Sequence, residues 1–70
     1  MDKHTINIEA VRGQLMLTKE QLAKKLGISV NSYDKRIRKE VEWKASEVHK
    51  LSEWSGIPVE LIDYLPNEVQ

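Results

Sequence analysis

An all-α fold, a compact bundle of five short helices, is predicted by three observations. Apolar residues recur at three- and four-residue spacing in short runs along the chain. Residues that can cap a helix precede several of these runs, and glycine or proline closes three of them. The chain has only 70 residues, 40% of them hydrophobic, enough for one core and no second one. A single domain over residues 1–70 follows.

Asn7 can cap a first helix, about 8–16, whose Ile8, Val11 and Leu15 form its core stripe. Gly13 within it carries a propensity cost of about 1 kcal/mol. Thr18 can cap a second helix over about 19–26 and Gln21 can close a capping box; Leu22 and Leu26 lie one turn apart, and Ala23 is small enough for a close crossing. Gly27 ends that helix with a residue that tolerates a left-handed turn. Ile28 plugs the corner and Ser29 caps a third helix, about 30–39, with Val30, Tyr33 and Ile37 on one buried stripe. A fourth helix, about 44–54, presents Val48, Leu51 and Trp54 and stops at Gly56. Pro58 suits the entry to a fifth, about 59–64, with Val59, Leu61 and Ile62 inward. Pro66 stops it, leaving residues 66–70 as a loose tail.

The stretch Leu17 to Ile37, two short helices around a glycine corner, is the arrangement of a DNA-reading helix-turn-helix. It leaves Asn31, Ser32, Asp34, Lys35 and Arg38 pointing away from the core. At these residues the chain resembles the phage Cro/CI-type helix-turn-helix regulators. Arg12, Leu17-Thr18, Gln21-Leu22-Ala23, Leu26-Gly27-Ile28-Ser29 and the later run Leu51 to Ile62 all look like that family's five-helix pattern, which covers about residues 6–65. A more particular resemblance is to the small modulator-of-repression proteins encoded opposite the repressor in lactococcal-type temperate phage switches. That resemblance implies a heterocomplex with the N-terminal domain of a phage repressor, loss of the repressor's operator binding, and a bias to the lytic cycle.

Composition removes other classes. There is no cysteine, hence no disulfide framework and no thiolate metal site. No apolar run approaches the roughly 18 residues of a membrane span, and no signal peptide is visible at the start. A cytoplasmic location in a bacterial host fits the family. Catalytic motifs and phosphate-cradling glycine loops are missing, so no enzyme, cofactor or small-molecule substrate is expected. His4 and His49 stand far apart with no third ligand near either, which makes them surface residues and not metal ligands.

The formal net charge is zero, so distribution matters more than total. Residues 18–44 hold eight cations (Lys19, Lys24, Lys25, Lys35, Arg36, Arg38, Lys39, Lys44) against four anions (Glu20, Asp34, Glu40, Glu42), a balance of +4. Residues 45–70 hold Lys50 against Glu47, Glu53, Glu60, Asp63 and Glu68, a balance of −4. The basic end therefore carries the helix-turn-helix. Lys19, Lys24, Lys39 and Lys44 are candidate phosphate contacts.

Departures from the family pattern bear on function. Many relatives carry Gln at the first position of helix two, where Lys19 stands. Asp34 at mid-helix three would face the major groove, where a carboxylate can accept from a cytosine amino group but otherwise repels the backbone. Arg36 occupies the usual apolar place three positions after Tyr33, so Ile37 is expected to take the inward role, with the third helix rotated. The family's frequent Glu-x-Gly exit is replaced by Lys39-Glu40-Val41-Glu42-Trp43. Trp43 is either a core residue under the loop or an exposed aromatic anchor beside the reading helix.

Two functions fit. An antirepressor would cover the DNA-reading face of a phage repressor, using Asn31, Ser32, Asp34, Lys35, Arg38, Glu42 and Trp43. The alternative is a Cro-like repressor that binds operator DNA through the same helix. Mixed charge on helix three and overall neutrality favour the first.

Overall fold

The computed structural model describes residues 5–64, and the tail expected over 66–70 lies outside them. Four α-helices are present among these residues: α1 (Ile8–Leu15), α2 (Lys19–Leu26), α3 (Val30–Ile37) and α4 (Ala45–Ser55). The expected fifth helix is absent. Its residues form a single 3₁₀ turn, Val59–Leu61, and then a two-residue strand β2 (Ile62–Asp63). β2 pairs in parallel with β1 (Ile6–Asn7), Ile6 opposite Ile62 and Asn7 opposite Asp63. The fold is mostly helical with a short strand pair, and not all-α. A physical reason is local: Val59, Leu61 and Ile62 offer too few residues before Tyr64 to repay helix nucleation, while β-branched Ile6 and Ile62 suit an extended pair.

The caps follow the sequence closely. Asn7 Oδ1 accepts from the Ala10 amide at 2.7 Å, and Ser29 Oγ accepts from Ser32 at 3.1 Å. Thr18 and Gln21 close a reciprocal box, the Gln21 amide donating to Thr18 Oγ1 at 3.1 Å and the Thr18 amide to Gln21 Oε1 at 2.9 Å. Three helices end in the same way, with one residue in the left-handed region and two return hydrogen bonds: Met16 (φ 59°) after α1, Gly27 (φ 80°) after α2 and Lys39 (φ 65°) beyond α3. At α3 the amides of Lys39 and Glu40 reach back to the carbonyls of Arg36 and Lys35 at 3.1 and 2.9 Å, the Schellman pattern. This is why α3 stops at Ile37, two residues short of the expected end.

One core holds these elements together. Ile8, Val11, Leu22, Ala23, Leu26, Tyr33, Trp43, Val48, Leu51, Ile57 and Ile62 are buried in a continuous cluster. α1 packs on α4 and on the strand pair, and α2 packs on α3. Ile37 and Val30 are only half-buried, whereas Arg36 is buried. The buried residues of α3 are thus Tyr33 and Arg36, with Val30 and Ile37 packed half-buried against the core, so Arg36 shares the inward role expected of Ile37 alone.

Candidate nucleic-acid interface

Burial on one side fixes what α3 offers on the other. With Tyr33 fully buried, the period of 3.6 places Asn31, Asp34, Lys35 and Arg38 toward solvent. Asn31, Lys35 and Arg38 are exposed and Asp34 is half-buried. Ser32 is also half-buried; its amide is used by Ser29, and its carbonyl accepts from Arg36 Nη1 at 3.3 Å. Glu42 is exposed in the α3–α4 loop.

Lys19 and Asp34 meet across the corner. Lys19 is the first residue of α2, and its ammonium donates to Asp34 Oδ1 on α3 at 3.3 Å. Both side chains keep substantial exposure, 47% and 32%, so the pair is a surface ion pair whose net contribution is about 0–1 kcal/mol. A second pair sits at the exit of α3, where Arg38 Nε donates to Glu40 Oε2 at 2.8 Å. Arg38 and Glu40 hold each other charged: the guanidinium pushes the carboxyl below its ordinary range and the carboxylate raises the guanidinium.

The remaining candidate phosphate contacts separate. Lys24 is exposed on α2, and Lys44 is exposed at the start of α4. Lys39 is half-buried and turns toward the strand pair, its ammonium 3.5 Å from Asp63 Oδ1. Lys25 lies over the Trp54 ring, 4.5 Å from its centroid. The basic surface is therefore narrower than its residue count suggests.

Arg36 leaves that surface altogether. Its Nε donates to Glu47 Oε1 at 3.1 Å, and its guanidinium lies 5.9 Å from the centroid of the Trp43 ring. Glu47 also accepts from the Lys44 amide at 2.9 Å, and the Glu47 amide returns to the Lys44 carbonyl at 3.0 Å. A lysine side chain has no acceptor for a helix amide, so the backbone completes this cap. The pair was not expected from the sequence. Its signal was a cation three positions after buried Tyr33, together with an acid at the third position of α4.

Trp43 occupies the first of its two expected places. It is only 8% exposed, and its ring stands edge-on to Tyr33, centroids 5.9 Å apart at 81°. An aromatic pair of this geometry contributes roughly 0.5–1.5 kcal/mol beyond its buried area. In this fold Trp43 supports α3 from beneath and gives no exposed anchor.

A second support comes from α1. Tyr33 Oη donates to Glu9 Oε2 at 2.6 Å, and Arg12 binds the other Glu9 oxygen at 2.7 Å while donating from Nη1 to the Leu17 carbonyl at 2.9 Å. The Arg12 hydrogen bond, aided by Tyr33 and opposed by partial burial, lowers the Glu9 carboxyl. Burial and the Glu9 carboxylate push the Tyr33 phenol up. One carboxylate thereby ties α1, the approach to α2, and α3 into a fixed relation.

Two helices at a glycine corner, with a polar outer face on the second, define a helix-turn-helix module. The chain belongs to the helix-turn-helix family of Cro/CI type: the family model described as Helix-turn-helix matches residues 8–55. That family is one of DNA-binding regulatory domains. The match spans α1 to α4 and includes the whole corner. No curated protein and no solved structure shows significant similarity to the chain. No helix among the described residues is long and apolar enough to cross a membrane.

Proposed function

We propose that this protein is a sequence-specific DNA-binding transcription regulator that sets α3 in the major groove of an operator, in the manner of Cro. α2 then crosses the backbone, Lys19, Lys24 and Lys44 meet phosphates, and Asn31, Asp34, Lys35 and Arg38 face the base edges. The carrying observation is the capped corner: a capped α2, left-handed Gly27 and a capped α3 whose polar face stays outside while Tyr33 contacts Glu9 and Trp43. The family match supports this reading above the antirepressor one.

Selection from randomised duplex DNA, followed by fluorescence anisotropy at several salt concentrations, tests it. A preferred sequence should emerge, bound with a log–log salt slope near −0.9 for each phosphate contacted. Equal binding to every duplex, or none at low salt, would overturn it.

A second reading keeps the same face for a protein. Asp34, Glu40 and Glu42 beside Lys35 and Arg38, with Val41 42% exposed between two acids, suit a partner with a basic surface. The resemblance to the small modulator-of-repression proteins implies the N-terminal domain of a phage repressor as that partner, with operator release as the outcome. Calorimetric titration of that domain would rank the two: a tight complex that frees the operator, with no duplex binding by this chain alone, puts the antirepressor first.

A further inference from the structure

We propose that Asp34 is a base-specificity determinant that selects cytosine at one position of the DNA site, with Lys19 as its positioning residue. This rests on the DNA-binding reading and names what one residue of that surface recognises.

An acid on a reading helix is unfavourable unless it is used. Asp34 is fifth of the eight residues of α3, and it lies on the outer side, opposite the buried Tyr33 and Arg36 stripe. Near phosphates its charge is repelled, yet here the repulsion is answered in place. Lys19 comes from the other helix, 15 residues earlier, and holds Oδ1 at 3.3 Å. Among the described residues Oδ2 accepts no hydrogen bond from the protein. The structure therefore presents a carboxylate with one oxygen anchored and the other open.

An ammonium has three donors and needs only one for Oδ1. Lys19, at the first turn of α2, can keep that bond and still meet a phosphate where α2 crosses the backbone. In the proposed complex Lys19 keeps its contact with Asp34, so the carboxylate enters the groove with its charge compensated.

A carboxylate only accepts, so it can select only a base edge that donates. In the major groove guanine shows O6 and N7 acceptors, and thymine shows an O4 acceptor and a methyl group. Both are rejected. Adenine donates from N6 but carries the N7 acceptor beside it, which repels the second carboxylate oxygen. Cytosine donates from N4 next to a C–H edge, with no such acceptor on its own ring. Cytosine is the base that Asp34 fits.

The test is selection from randomised duplexes with the full chain and with Asp34→Ala, Asp34→Asn and Lys19→Gln, each first checked for folding by circular dichroism. The natural chain should fix cytosine at one position, with the other bases there bound roughly tenfold or more weakly. Asp34→Ala should lose the preference at that position alone. Asp34→Asn should move it toward adenine, whose N6 and N7 match a carboxamide. Lys19→Gln should keep cytosine with reduced discrimination and flatten the salt slope by about 0.9. A merely structural Asp34 would leave the selected sequence unchanged, and an Asp34→Ala protein that selects the natural sequence overturns the proposal while the DNA-binding reading stands. So does a natural chain that binds a preferred sequence containing no fixed cytosine. A natural chain that binds no duplex at all overturns both.

Discussion

Arg36 donates from Nε to Glu47 Oε1 at 3.1 Å, with the two side chains only 9% and 7% exposed. This buried pair joins the reading helix to the first turn of α4. Breaking it strands a charge in the core, so Glu47→Ala is expected to cost about 3–5 kcal/mol in urea unfolding. Replacing both charges should be far milder. Arg36→Leu with Glu47→Gln keeps an N3 side chain for the α4 cap and should return to within about 1 kcal/mol of the natural stability. A single Glu47→Ala loss below about 1 kcal/mol would show that the pair is solvated.

Trp43 lies beneath α3 and Leu22 is fully buried at the centre of the core. Trp43→Ala should cost about 3–5 kcal/mol of stability and Leu22→Ala about 2–5 kcal/mol, both visible as large drops in melting temperature. Trp43→Phe should be milder, since it keeps an aromatic ring against Tyr33. A Trp43→Ala protein that melts like the natural one would return this ring to the surface.

Met16 holds a left-handed backbone, φ 59°, with a side chain 88% exposed. A non-glycine residue pays roughly 1–2 kcal/mol for that conformation, and glycine gives part of the gain back through its freer unfolded chain. Met16→Gly is therefore expected to raise stability by up to about 1 kcal/mol. Gly27→Ala, at φ 80° with open space around its Cβ position, should lower it by about 1 kcal/mol. Thermal melts of the two variants should shift in opposite directions.

Acid should loosen the contact between α1 and α3. The Arg12 guanidinium, with Tyr33, holds the Glu9 carboxyl below its ordinary value of 4.5. A lowered folded-state pKa means stability that is full above about pH 4.5 and fades as pH falls through the folded value. Glu40 acts in the same direction through Arg38. The denaturation midpoint should fall below pH 4.5, and less steeply in Glu9→Gln. An identical acid limb in that variant would exclude Glu9 as a contributor.

Much of the fold was legible because its signals are local. Asn7, Thr18, Gln21, Gly27, Ser29 and Gly56 act within one turn of their own position, and all serve at helix ends as expected. What escaped were long-range choices. The pairing of Ile6 with Ile62 has no local mark, so the segment after Pro58 read as a helix. Arg36 read as a surface cation because its partner Glu47 lies on another helix, 11 residues away. The candidate face was partly legible: buried Tyr33 fixes which side of α3 is outer, but only three-dimensional contact shows that Lys19 meets Asp34 and that Lys39 turns toward Asp63.

The strand pair also bears on the order of assembly. Ile6 and Ile62 stand 56 positions apart in the chain, whereas each helix closes over hydrogen bonds spanning four residues. Loop-closure entropy makes the strand pair the costliest contact to reach, so it is expected to zip last and to open first in hydrogen exchange. Asn7 belongs to β1 and also caps α1 through the Ala10 amide. Unzipping would therefore fray the start of α1, while α2 and α3, closed by their own caps and by the glycine corner, stay assembled.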